Sequence, residues 1–211
     1  MWVGNFTVAK GGMQQTQDLK FPRSHVDALA SALSERDRYT SEHCERTSTI
    51  CLDLGRSCAL GAHELTLLRT AAAMHDIGKL AIPDRILFKP GPLDQQERGA
   101  MQAHADIGAA MLQDLPLDDM DVVARVVRHH HEAYDGRGYP DGLAGDSIPL
   151  LSRIITLADS YDAMATTRPY QAARTHGQVM SLLDREQGGK YDPYLWLKFV
   201  RSIEKSVQGT R

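Results

Sequence analysis

Met74-His75-Asp76-Ile77-Gly78-Lys79 decides how the rest of this chain is read. It closes a helical pattern in which Leu65, Leu68, Ala72 and His75 share one face. An imidazole and a carboxylate side by side at the end of such a stripe can both reach one metal centre. The two oxygens of Asp76 also allow it to bridge to a second ion. Lys79, three residues on, can then oppose the charge of a phosphate. This is the grouping that a divalent-metal phosphohydrolase needs.

Outward from that string the pattern is helical on both sides. Val26, Leu29, Ala30 and Leu33 follow the i, i+3, i+4, i+7 rule, and Cys44, Thr47, Cys51, Leu54 and Cys58 form the next stripe. Pro83, Pro90, Gly91 and Pro92 mark a connector. Asp94 with Glu97 reads as a capping box that opens a helix carrying Met101, His104, Gly108 and Met111 on one face. Val122, Val123, Val126, Val127 and His130 belong to another helix. Residues 135–149 hold Gly136, Gly138, Pro140, Gly142, Gly145 and Pro149, which predicts a surface loop of constrained turns. Helix resumes through Ile154, Leu157, Ala158 and Tyr161. Thr175 with Gln178 is a second box-like start, Gly188-Gly189 a stop, and Asp192-Pro193 a cap with proline at the first helical position. No stretch alternates as a strand. The fold class expected is all-α, a single helical bundle over residues 21–211 with a Gly/Pro-rich surface loop, preceded by a loose tail over residues 1–20.

A chain of 211 residues with a formal charge of -3 can bury a substantial core but shows no basic excess that would coat a nucleic-acid polymer. No apolar run approaches ~18 residues, and the N-terminus lacks the order of a signal peptide, so a cytoplasmic location off the membrane is expected. Cys44, Cys51 and Cys58 recur every seven residues, which stacks them ~10 Å apart on one helix face and favours a core role over a zinc site.

Seven residues from five helical segments could form one metal centre: His43, His75, Asp76, His104, His130, His131 and Asp159. One inward histidine is ordinarily a satisfied core residue. Five histidines and two aspartates of this kind would cost several kcal/mol to bury without a shared partner. A metal pair supplies that partner, and nitrogen with carboxylate donors suits iron, manganese, zinc, nickel or cobalt.

The ordered motifs then resemble the HD-GYP family of cyclic di-GMP phosphodiesterases, within the wider HD phosphohydrolases. The likeness runs from Asp37 to Pro193. It covers Asp37-Arg38-Tyr39-Thr40 leading to His43, then His75-Asp76-Ile77-Gly78-Lys79, Ile82-Pro83-Asp84 and Lys89-Pro90-Gly91. It continues through His130-His131-Glu132, Asp135-Gly136-Arg137-Gly138-Tyr139-Pro140, Asp159 with Asp162, and Arg168-Pro169-Tyr170.

The resemblance implies two divalent metal ions, with iron or manganese favoured. His43, His75, Asp76 and Asp159 would hold one ion and Asp76, His104, His130 and His131 the other. It implies a hydroxide shared by the metals that attacks phosphorus in line with the leaving ribose oxygen. Asp76 and Lys79 are the catalytic residues of this scheme, Lys79 opposing the charge that builds on the phosphoryl oxygens. Lys79, Arg168, Tyr139, Asp162 and Gln171 are expected to contact the substrate.

Three positions depart from the family. Tyr39 stands where some members carry a glutamate that helps to hold a third metal, so two ions are expected. Gln171 stands where a basic residue often contacts phosphate. Cys44 follows the first histidine where serine is usual. His129 is the extra member of a run of three and is expected to face solvent, and His25, His63 and His176 read as ordinary surface residues. The implied reaction linearises cyclic di-GMP to pGpG, with GMP as a further product. Two rival readings use the same residues: an HD phosphohydrolase on another nucleotide, and a cyclic di-GMP receptor or docking module whose Gly-Tyr-Pro loop meets a protein partner.

Overall fold

Asp37 starts the longest helix of the bundle. Its carboxylate accepts the Thr40 N–H at 3.2 Å and the Thr40 hydroxyl at 2.5 Å, which caps α2 (Arg38–Ser57) just after α1 (Arg23–Arg36) ends. The computed structural model describes residues 23–167 and 173–209, so the expected N-terminal tail, Arg168 and Gln171 lie outside the described residues. On α2 the Cys44, Thr47, Cys51 and Leu54 stripe is buried, while Cys58 caps the helix and is half-buried. That stripe faces inward because α2 packs against α1, α3 (Ala62–Met74), α8 (Leu150–Ala165) and α10 (Pro193–Gly209).

After α3 the chain tightens into a 3-10 turn, Ile77–Ala81, and a short α4, Asp84–Leu87. Arg36 at the end of α1 donates to the Ile82 carbonyl at 2.5 Å and to Asp84 at 2.8 Å, which fastens the segment after the turn. The Asp94–Glu97 capping box forms, each side chain accepting the other's N–H at 2.9 Å. The helix it opens is not continuous as the spacing suggested. It is divided at Ala103 into α5 (Gln95–Gln102) and α6 (His104–Gln113). The break falls where the His104 ring donates to the Met101 carbonyl at 2.7 Å.

α7 (Met120–Arg128) turns Val123, Val126 and Val127 inward, but Val122 is 37% exposed and His130 lies past the helix end. The buried arc of α7 is wide enough for the adjacent pairs Val123 with Ala124 and Val126 with Val127, and at ~100° per residue Val122 falls just outside it. α8 is buried along most of its length, α9 (His176–Arg185) starts at the Thr175–Gln178 box, and α10 starts at Pro193 with Asp192 accepting the Tyr194 N–H at 2.8 Å. The described residues form an all-helical fold without a named strand, with isolated bridges at Asp135–Ala144 and Gln187–Tyr191. Among them no helix is long and apolar enough to cross a membrane.

Gly78 lets the 3-10 turn lie directly on α6. A Cβ there would stand 2.0 Å from the His104 carbonyl oxygen and 2.6 Å from the Gly108 nitrogen, so backbone would have to move. Gly78→Ala should therefore destabilise the fold by about 1–3 kcal/mol, the range for overpacked cores. Thermal unfolding should show the midpoint falling by roughly 2–12 °C. An unchanged midpoint would mean that the turn is not held against α6.

Candidate metal centre

Three of the expected ligands share one local device. His75 follows α3 directly, His104 follows the last turn of α5, and His130 lies just past α7. The last carbonyls of a helix have no intrahelical N–H to accept. Each of these rings donates Nδ1–H to such a carbonyl: His75 to Ala72 at 2.8 Å, His104 to Met101 at 2.7 Å and His130 to Val127 at 2.6 Å. That bond fixes the tautomer and leaves the Nε2 lone pair facing the interior. The rings converge, His75 to His130 at 5.1 Å and His104 to His130 at 5.3 Å between centroids. His131 packs beside them, 5.0 Å from His104 and 3.9 Å from His130.

His43 is held differently. Its Nε2 meets Asp159 Oδ1 at 2.9 Å and its Nδ1 meets Asp162 Oδ2 at 2.6 Å. Asp159 and Asp162 lie one turn apart on α8, so the helix presents both carboxylates to one ring. Arg46, one turn after His43 on α2, completes the arrangement with two bonds to Asp162, at 2.8 and 3.0 Å. Asp162 was expected as a substrate contact. It is buried and both oxygens are engaged by His43 and Arg46, so it faces the histidine. The sequence reading missed Arg46, although a His-x-x-Arg spacing facing Asp-x-x-Asp was the available signal.

Asp76 lies between these groups and is 3% exposed. Its Oδ1 is 3.4 Å from His104 Nε2, and its Oδ2 is 3.6 Å from His75 Nε2 and 2.6 Å from Lys79 Nζ. Burial works against its charge, but Lys79 and the surrounding histidines outweigh it and hold the carboxyl well below its usual range. For Lys79 burial likewise opposes the charge, and the Asp76 carboxylate raises its pKa above the ordinary value. Two groups of donor atoms result, His43 with His75 and Asp76, and His104 with His130 and His131, each with its atoms within 4.8 Å of one another. A metal pair fits them. Among the described residues His75 Nε2 is buried without a hydrogen-bond partner, and one ion per group would engage the inward lone pairs.

Three of the histidine donors are held neutral, and His43 is the exception. Burial pushes His104 and His130 down, and His131 down to about 3. Burial pulls His43 down too, but Asp159 and Asp162 prevail and raise it to about 9 from 6.5. The contribution of His43 to stability is therefore complete below 6.5 and lost as pH rises through 9. The contribution of His131 is present above 6.5 and lost as pH falls toward 3. Chelator-treated protein should thus be most stable near the ordinary imidazole value and lose midpoint temperature on both sides. A midpoint rising steadily from pH 6 to 9 would contradict the His43 arrangement.

The Gly/Pro loop walls the site. Tyr139 lies over His131 at 4.8 Å between ring centroids, and its N–H donates to the His131 carbonyl at 3.2 Å. Burial, then the Asp76 and Asp159 carboxylates, push its phenol up. Buried Glu132 staples the loop by accepting the N–H groups of Asp141 at 2.8 Å and Leu143 at 3.1 Å. Gly138 is required here, since a Cβ would stand 2.2 Å from the Ala133 nitrogen.

His129, expected to face solvent, is buried instead. It donates Nδ1–H to the Arg125 carbonyl at 2.8 Å and pairs with Asp141 at 3.0 Å, because α7 ends one residue earlier and turns the ring under the loop. His25 and His63 are exposed as expected, whereas His176 is half-buried and bonds Tyr161 at 2.9 Å. Cys44 is buried, and burial followed by Asp76 raises its thiol pKa well above the usual value.

Residues 27–195 match the HD domain family. The chain is 39% identical over 171 residues to the cyclic di-GMP phosphodiesterase response regulator RpfG of Xanthomonas campestris pv. campestris, covering 81% of this chain and 45% of the relative. It is 38% identical over 167 residues to the 3'3'-cGAMP-specific phosphodiesterase 2 of Vibrio cholerae, covering 79% and 32%. A cyclic di-GMP phosphodiesterase of Thermotoga maritima is 34% identical over 180 residues, covering 85% and 49%. The chain spans less than half the length of these relatives.

The fold is similar to that of Bd1817, an HDG"Y"P protein from Bdellovibrio bacteriovorus, with TM-score 0.64, 20% identity, and 88% and 60% of the two chains covered. It is also similar to the HD domain of the L. monocytogenes phosphodiesterase PgpH in complex with cyclic-di-AMP, with TM-score 0.63, 16% identity, and 87% and 96% covered.

Proposed function

The chain belongs to the HD-domain family, in its HD-GYP branch, and on that premise we propose that it is a metal-dependent phosphodiesterase that opens cyclic di-GMP to linear pGpG. One observation carries the reading: two abutting donor groups meet at Asp76, with histidine lone pairs turned inward by the helix-end carbonyls. When bound, a divalent metal pair supplies Lewis acidity toward phosphoryl oxygens and an activated water at neutral pH. His43, His75, Asp76 and Asp159 would hold one ion, and Asp76, His104, His130 and His131 the other. The protein's part in the chemistry is positional and electrostatic. Asp76 sets the spacing of the two groups. Lys79, 23% exposed, is long enough to turn from Asp76 toward a phosphate and oppose charge there. Tyr139 shelters the His131 side from solvent, and the fork of Arg168 suits a second phosphate.

The relatives named for 3'3'-cGAMP and those named for cyclic di-GMP support the broader class, cyclic dinucleotides. Manganese-loaded protein should be incubated with each dinucleotide in parallel and followed by chromatography. Cyclic di-GMP should disappear first, with linear pGpG as the early product and GMP later. Faster loss of 3'3'-cGAMP would replace the substrate. Tight binding of both without hydrolysis, at full metal content, would support the receptor reading instead.

Tyr39 lies one helical turn before His43 on α2, where a carboxylate would be needed for a third ion. Elemental analysis of fully loaded protein should therefore approach two metals per chain. A reproducible value near three in the same cluster would require another residue to replace that carboxylate.

A further inference from the structure

We propose that Arg46 is a positioning residue of the metal centre, its guanidinium holding the Asp162 carboxylate that aims His43 inward. The inference rests on the metal-centre reading above. His75, His104 and His130 are each oriented by a carbonyl three residues earlier, so local helix geometry aims them. His43 lies in the second turn of α2, where the backbone carbonyls serve the helix, and its orienting partner comes from another helix. That partner, Asp162, stands near the end of α8, one turn beyond Asp159.

A carboxylate with free rotation could follow His43 in several poses. Arg46 removes that freedom with a two-point contact, Nε to Oδ1 at 2.8 Å and a terminal nitrogen to Oδ2 at 3.0 Å. The Thr166 hydroxyl adds a long contact to Oδ1 at 3.4 Å. Oδ2 is thereby fixed 2.6 Å from His43 Nδ1, which keeps the proton on Nδ1 and presents Nε2 toward the centre. The positive charge has a second use. Once His43 is a neutral ligand, Asp162 is a buried carboxylate that still needs a counter-charge, and Arg46 supplies it. Arg46 is about one-third exposed, at 37%, and both of its hydrogen bonds among the described residues go to Asp162, so it acts through Asp162.

The alternative is that Arg46 only pins α2 to α8. Zinc separates the two, because it is diamagnetic and permits imidazole 15N spectra of the loaded full chain. In the wild type, two zinc ions should bind, with His43 protonated at Nδ1. In Arg46→Met the His43-side ion should bind about 10–100-fold more weakly, the usual effect of losing an outer partner. The other ion should be retained and the His43 signals should shift. Arg46→Lys should recover part of the loss, since it restores charge without the fork, and it carries the same readout if Arg46→Met does not fold. Adding Arg46→Met to Asp162→Asn should cost little more zinc affinity than Asp162→Asn alone.

A lower unfolding midpoint with both zinc affinities and the His43 signals unchanged would overturn the positioning role and leave the metal centre intact. A wild type that binds no zinc at His43 would overturn both.

Discussion

Asp76→Ala is expected to abolish phosphodiesterase activity and to lower metal content at both positions, while helix content stays near that of the unchanged protein. Asp76 reaches both donor groups, one oxygen toward His104 and the other toward His75. Alanine leaves each group with histidines alone on that side, so both lose a negative donor at once. The fold should survive because the helix-end carbonyls continue to orient His75, His104 and His130. The change also strips Lys79 of its counter-ion. Removing one partner of a fully buried pair costs about 3–5 kcal/mol, but Lys79 keeps 23% exposure and can relax toward water, so the loss should be smaller. Elemental analysis, circular dichroism and product formation measured on one preparation settle the matter. A well-folded Asp76→Ala protein with near-normal turnover would sink the dinuclear reading.

Lys79→Ala should keep its metals and lose on the order of a hundredfold in turnover, as for removal of a single charge-stabilising donor. A lysine ammonium has no lone pair to offer a metal, so Lys79 is not a ligand. Its ammonium bonds Asp76 at 2.6 Å, which places a positive charge beside the carboxylate that would bridge the two donor groups. With cations in place its ammonium is available for a phosphate, and its effect should fall on kcat more than on KM because the opposed charge grows in the transition state. Arg168→Ala should instead weaken dinucleotide binding. If Lys79→Ala turns over normally at full metal content, the substrate lies elsewhere relative to Asp76, even with the metal centre correct.

Much of the architecture was legible in the chain because it depends on short-range chemistry. The Asp94–Glu97 and Thr175–Gln178 boxes and the Asp192-Pro193 start are local reciprocal contacts, and each formed where the spacing placed it. The α2 stripe was readable because one helical period buries one face. The failures have equally definite causes. The break at Ala103 turns on the His104 ring bonding the Met101 carbonyl, which spacing cannot distinguish from a straight helix. His129 was read as solvent-facing because nothing local reveals that Asp141, twelve residues on, folds back over it.

The candidate site divides the same way. Which residue types could bind metal was plain from the chain alone, as was the all-helical class, since donor chemistry and apolar period are written residue by residue. The tertiary structure decided which donors meet. It brought α2 against α8 so that His43 lies between Asp159 and Asp162, and it seated Gly78 on α6 so that Asp76 reaches His104. It also turned Asp162 from an expected substrate contact into the partner of His43 and Arg46. Those contacts join residues up to 119 positions apart. They depend on helix packing and on the space a missing Cβ leaves, and neither has a signature in the spacing of any one segment.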